Sequence, residues 1–262
     1  MKAWLVALLL TLSFQPAWAG TPLDIVFDID WTTFYTVHSE DPNERSSKSI
    51  QIEGKTYRPT DHLTEVIEHL LKTHPDIRIS FFSGGTQSRN MTLLESVKLS
   101  DGRSLVDISH RILSYGDLTV VSQNKTLKFS EQHKKVLNQG IPDWNPKNTL
   151  LIDDQPEFAV KPLKSVSSLG HFNFQQKFDV SRAGEKFFPA SEIEWKMERN
   201  KALIWLALLE NAIAESARTG KDFSSVAQEL WTRDSKNPFI LKQGQDLLPS
   251  LKGQACRKIF AL

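Results

Sequence analysis

Two aspartates separated by one residue, Asp28 and Asp30, follow directly on a short apolar run, Leu23 to Phe27, in the segment LDIVFDIDWTT. The run is rich in Ile and Val and bounded by Pro22, so it reads as a buried β-strand. Carboxylates at the carboxyl end of such a strand open into the crevice where open α/β sheets bind ligands. Held there together they repel each other and lose solvation, unless a cation or a substrate engages them. On its own the motif also fits a strand running into an acidic turn.

Three later segments weigh against the plain turn. A second buried run, Ile77 to Phe82, ends in Ser83-Gly84-Gly85. A lysine, Lys128, precedes a short helical pattern. Another buried run, Thr149 to Ile152, ends in Asp153-Asp154. Singly these are a turn serine, a surface lysine and a helix cap. As an ordered set, with three members directly after apolar runs, they would bring acid, hydroxyl, cation and acid pair to one crevice.

The elements that must position them alternate. Leu63, Val66, Ile67, Leu70 and Leu71 form one helical face between the first two strands, and a helix through Met91, Leu94 and Val97 follows the second. Leu118 to Val121 is the third strand candidate, Phe129 to Leu137 reads as helical, and a fifth strand falls near Ser165 to Phe172. This is the pattern of a doubly wound parallel α/β sheet. A polar stretch over about 38–60, with Ser49-Ile50-Gln51-Ile52 alternating, reads as a flap after strand 1. From Ser191 to Ser216 and again from Asp222 the pattern is helical, with Gly220 placed to cap the first helix. The predicted organisation is an α/β domain over 20–185 and a helical C-terminal extension over 186–262.

The order of motifs resembles the haloacid dehalogenase-like superfamily of phosphohydrolases over about residues 23 to 175. Asp28, Asp30 and Thr32 match its Asp-x-Asp-x-Thr, Ser83 its strand-terminal Ser or Thr, Lys128 its lysine, and Asp153 and Asp154 its acidic pair. Arg58-Pro59, Lys128-Phe129-Ser130 and Asp153-Asp154-Gln155-Pro156 are similar to the small-cap phosphatases related to RNA polymerase C-terminal-domain phosphatases. Trp31 departs from the small or acidic residue usual at its position, and the helical tail has no counterpart. The resemblance implies a Rossmannoid fold and a Mg²⁺-dependent phosphatase. It implies Asp28 as nucleophile and metal ligand, and Asp30 as general acid, then base, with its carbonyl on the metal. Asp153 and Asp154 would complete the Mg²⁺ site, Ser83 and Gly84 would bind phosphate oxygens, and Lys128 would offset their charge. Lys125, three residues earlier, is the alternative lysine.

Other chemistries fit less well. A receiver-type phospho-acceptor domain puts its acidic pair first and its lysine last. Phe81-Phe82-Ser83-Gly84-Gly85 lacks the first glycine of a nucleophile elbow. The seven histidines form no ligand-spaced pair with an acidic partner. A non-catalytic exported binding protein on the same fold, using Trp31 and the tail as a partner surface, is the remaining alternative.

A net charge of +1 gives no field that would draw nucleic acid or anionic lipid. Short basic clusters such as His133-Lys134-Lys135 read as ordinary solvated surface. Met1-Lys2, the apolar stretch Ala3 to Phe14 and the small-x-small site Ala17-Trp18-Ala19 read as a bacterial-type signal peptide over 1–19, too short to span a bilayer. The expectation is therefore an exported, periplasmic or secreted protein without a stable membrane anchor. It would act on a phosphorylated small molecule or phosphoprotein, and its tail could serve a protein partner. The single cysteine, Cys256, excludes an intramolecular disulfide.

Overall fold

The computed structural model describes residues 22–37, 49–138, 140–141 and 143–248. The segment expected to be a signal peptide, the middle of the expected flap and Cys256 lie outside these residues. Ten strands are present among them: β1 Leu23–Phe27, β2 Phe34–Val37, β3 Ile50–Ile52, β4 Lys55–Pro59, β5 Ile77–Phe82, β6 Ser109–Leu113, β7 Thr119–Val120, β8 His133–Lys134, β9 Thr149–Asp153 and β10 Lys164–Ser167. Eight helices accompany them: α1 Leu63–Thr73, α2 Gln87–Glu95, α3 Leu105–Ile108, α4 Phe129–Gln132, α5 Glu192–Arg199, α6 Lys201–Thr219, α7 Phe223–Asp234 and α8 Pro238–Leu247.

The core is a five-stranded sheet in the order β10-β9-β1-β5-β6, parallel throughout. Its chain order changes direction at β1, the place where an open α/β sheet leaves a crevice beyond its strand ends. Because side chains alternate along a strand, β1 feeds two cores. Ile25 and Phe27 face a large cluster with α1, α6 and α7, while Val26 joins Phe82, Leu113, Leu151 and Leu163 on the opposite face.

β2, β4 and β3 form a separate antiparallel sheet, so the predicted flap is a three-stranded unit that begins at Phe34. Two other expectations are corrected. The third strand of the main sheet is β6, not Leu118 to Val121; Thr119–Val120 pairs instead with β8 in a two-stranded ribbon. Phe129 to Leu137 is not one helix: α4 is a single turn, and the chain is extended from His133.

The C-terminal helices complete the main core. From Ala202 to Leu209 every residue of α6 is buried, and Trp205 packs on Phe27 with ring centroids 5.6 Å apart. Each large apolar side chain fully removed from water here contributes roughly 1.5–3 kcal/mol. Gly220, at φ +70°, ends α6 in the left-handed conformation that glycine accepts without strain. α7 covers the edge strand: the Gln228 side-chain amide and the Trp231 indole N–H donate to the Ser165 and Ser167 carbonyls at 3.0 and 2.8 Å. Those contacts protect an edge that would otherwise offer free backbone groups to another chain. Among the described residues, no helix is long and apolar enough to cross a membrane.

Candidate active site

β1, β5 and β9 end side by side, which brings Asp28, Ser83 and Asp153 to one crevice. The loop after β1 is tied to its neighbours on all sides. The Asp28 N–H donates to the Ile152 carbonyl (2.9 Å), and the Thr33 hydroxyl donates to the Asp28 carbonyl (3.0 Å). The buried Thr32 accepts from the Asp154 N–H at 3.1 Å, so the first and last motifs are joined through a threonine side chain.

Asp28 and Asp153 are both buried, and the ammonium of Lys135 lies 2.6 Å from a carboxylate oxygen of each. Burial pushes the Asp28 carboxyl well above its ordinary range; Lys135 opposes this, while Asp153, Asp154 and Asp30 reinforce it. Burial likewise raises Asp153 to about 6 against the pull of Lys135. Burial would lower the Lys135 ammonium, but the Asp153 and Asp28 carboxylates more than offset it and hold it above an ordinary lysine.

Asp28, Asp153 and Asp154 each offer an oxygen within 4.8 Å of the others. Two of these carboxylates share the Lys135 ammonium and the third lies alongside, so the residues present fit a hard divalent cation with oxygen ligands. The other oxygen of Asp153 accepts from the Gln155 N–H at 2.8 Å, and His171 Nδ1 is in short contact with Asp154 Oδ2.

The lysine at the site is Lys135, not Lys128 or Lys125. Lys128 and Lys125 are exposed, and the Lys128 backbone N–H donates to Glu131 at 2.8 Å to start α4. Lys135 gets inside because the chain after α4 runs extended. Its N–H donates to the Phe158 carbonyl (2.9 Å), which lays the segment along the turn after Asp153-Asp154. Lys135 and Leu137 are buried while Lys134 and Val136 are less so, the period of an extended segment. A lysine at an inward position of that alternation was the available signal, hidden inside what looks like a solvated basic cluster.

Asp30 does not join the three-carboxylate group. Arg89, from α2, donates to both of its oxygens at 2.9 and 2.6 Å, and the Ser83 hydroxyl donates to one of them at 2.9 Å. Arg89 is the residue that sequence reasoning missed. It needs Gly85 as its seat, since a Cβ there would fall 1.9 Å from its guanidinium. The Gly85 N–H donates to Ser83 Oγ at 3.0 Å, fixing that hydroxyl in turn. Asp30, Arg89 and Gly85, with Lys55 and Tyr57 from the flap and Gly84, Phe129 and Phe158, line one cavity of about 370 Å³.

Trp31, at φ +53°, turns the chain out of the motif. Its ring stacks on His171, centroids 4.0 Å apart, and its indole N–H donates to Asn173 at 3.2 Å. Its carbonyl accepts from Lys201 of α6, which also pairs with Glu198 at 2.6 Å.

No family model and no curated protein matches the chain. Two solved structures similar to it are both RNA polymerase II CTD phosphatases. One is a substituted form of fission yeast Fcp1 bound to beryllium fluoride (14% identity, 85% of this chain and 66% of that one, TM-score 0.34). The other is Fcp1, described as an essential RNA polymerase II CTD phosphatase (17% identity, 86% and 62%, TM-score 0.37). The chain thus spans less than two thirds of the length of either. The five-stranded parallel sheet in the order β10-β9-β1-β5-β6, flanked by helices, is a Rossmannoid α/β architecture.

Proposed function

We propose that this chain is an exported, Mg²⁺-dependent phosphatase that hydrolyses a phosphomonoester through an aspartyl-phosphate on Asp28. The observation that carries the reading is the buried group at the sheet switch point: Asp28 held by Lys135, with Asp153 and Asp154 close enough to share a cation. Asp28, Asp153 and Asp154 would hold the metal, joined by the Asp30 carbonyl. When bound, Mg²⁺ supplies charge neutralisation and holds the phosphoryl group in line.

This chain's own residues do the rest. A carboxylate oxygen of Asp28 attacks phosphorus as the bond to the leaving oxygen breaks, and Asp30 gives that oxygen its proton. Arg89, now on Asp30, turns to the phosphoryl oxygens alongside the Ser83 hydroxyl and the backbone N–H groups of Gly84 and Gly85. Water then attacks the aspartyl-phosphate, Asp30 takes its proton, and inorganic phosphate leaves. Lys135 favours the ionised form of Asp28 and fixes its direction throughout.

Two asparagine variants test the assignment. With an activated aryl phosphate and Mg²⁺, Asp30→Asn should accumulate a phospho-enzyme by intact mass, because the second step lacks its base. Asp28→Asn should show none. Equal labelling of the two would remove Asp28 as nucleophile. Export is tested separately: the protein recovered outside the cytoplasm should begin Gly20-Thr21-Pro22-Leu23, and an intact Met1 terminus there would sink that part.

A further inference from the structure

The wall of the cavity on the side of α4 is made of rings, and the surface beyond it is apolar. Phe129 stacks on His133, centroids 4.3 Å apart at 26°, and lies nearly parallel to Tyr115 at 6.2 Å and 20°. Phe158 meets it edge-on at 5.8 Å. Phe129 is 42% exposed and Tyr115 51%, and Val120, Val121 and Leu127 of the same short segment are exposed too. The segment is one surface: Val120 pairs with His133, and the Val121 N–H donates to Gln132 at 2.8 Å. The other large apolar residues exposed among the described ones, Val160, Val180, Ile193 and Phe239, come from separate parts of the chain.

This surface runs into the reacting groups. Phe129 and Phe158 line the same cavity as Asp28, Asp30 and Arg89. The ring of Phe129 also lies on the Ser83-Gly84-Gly85 loop, where a Cβ on Gly84 would sit 3.0 Å from it. An anion-binding floor is therefore continuous with an aromatic wall. A phosphate on that floor brings whatever carries it against the wall. The exposed parts of these rings offer a further ring offset or edge contacts. A cavity of about 370 Å³ has room for a one-ring phosphomonoester.

We infer that the site selects phosphomonoesters carried on an aromatic ring, that is, aryl phosphates, met either as free small molecules or as phosphotyrosine in a chain. The inference rests on the phosphatase reading, and its test is chosen to be independent of turnover. Binding of benzylphosphonate and of methylphosphonate to the full chain in Mg²⁺ is measured by calorimetry. Benzylphosphonate should bind at least about tenfold more tightly, the scale of discrimination an apolar pocket achieves. Phe129→Ala should bring the two affinities to within about twofold, and Phe129→Tyr should restore the preference. Equal affinities in the unsubstituted protein, or a preference that survives Phe129→Ala, would overturn the inference while leaving the phosphatase reading intact. Failure of both phosphonates to bind would overturn both. Free phosphotyrosine and a phosphotyrosine hexapeptide then separate the sources: equal kcat/KM supports a small aryl phosphate, and a clear gain with the peptide supports a phosphoprotein.

Discussion

Among the described residues two buried lysine–carboxylate clusters stand one at each end of the β1 loop, and they differ in stoichiometry. Lys201 pairs with one acid, Glu198, and every group there has a partner: the ammonium also reaches the Trp31 carbonyl, and the second Glu198 oxygen accepts from the Gly170 N–H at 3.0 Å. Lys135 faces Asp28 and Asp153, with Asp154 alongside. Both ammonium groups are out of water. The first cluster is balanced and closed, so its worth is in holding the loop. The second has more anions than it can neutralise, which is a cost that a cation removes. Equal ingredients thus give a brace in one case and a binding site in the other.

The largest effect should come from unbalancing the brace. Lys201→Met leaves Glu198 buried with one N–H partner and should cost about 3–5 kcal/mol of stability in chemical denaturation. Glu198→Gln added to it should recover much of that loss. If the single variant costs under about 1 kcal/mol, the two clusters are not distinct in kind.

The acidic cluster should respond with the opposite sign. Asp153→Asn removes a repelling charge, so metal-free stability should hold or rise while the gain on adding Mg²⁺ falls sharply. A loss of metal-free stability as large as that of Lys201→Met would break the contrast.

The pH dependence follows the same logic. A carboxyl raised in the fold from about 3.8 to about 6 favours the folded state while it is protonated, and that contribution is lost as pH climbs through the folded value. Metal-free protein should therefore lose stability from about pH 4 to above 6, through Asp153 with Asp28 adding to it. Because the cation binds ionised carboxylates, the rise in Tm on adding Mg²⁺ should be larger at pH 7 than at pH 5. A rise independent of pH would mean that Mg²⁺ binds elsewhere.

The smallest structural effect is expected outside both clusters. Glu210 of α6 lies 3.0 Å from the Nε2 atoms of both His69 and His74, at a site where these side chains keep 18–21% of their surface exposed. Glu210→Gln should change stability by less than about 1 kcal/mol.

Much of the site was legible because β1, β5 and β9 are central strands, buried along their length and followed at once by the polar groups they present. β6 was not, because it is an edge strand: Ser109-His110-Arg111 carries polar side chains where a central strand carries apolar ones. The more apolar Leu118 to Val121 competes for its place in any reading by hydropathy. The lysine was misplaced for a related reason. Reading Phe129 to Leu137 as a helix puts Lys128 at its cap and Lys135 on a wet face. A chain that leaves α4 after one turn instead sends Lys135 inward. Arg89 gives no local signal at all, since its role is set by the close approach of α2 to Asp30 across the Gly85 seat. The brace from Lys201 is a long-range contact, 170 residues from Trp31 in sequence.

That distance has a consequence for how the molecule comes into being. A ribosome delivers all five main-sheet strands and every carboxylate of the crevice before it delivers α6. Until then one face of β1 has no cover at Phe27, and the turn at Trp31 lacks the ammonium that holds its carbonyl. A half-made chain would carry the reactive groups without the geometry that makes them useful. Delivery of the chain from its N-terminus thus acts as a timer: the crevice reaches its final geometry only when the last of the described helices fold back onto the first strand.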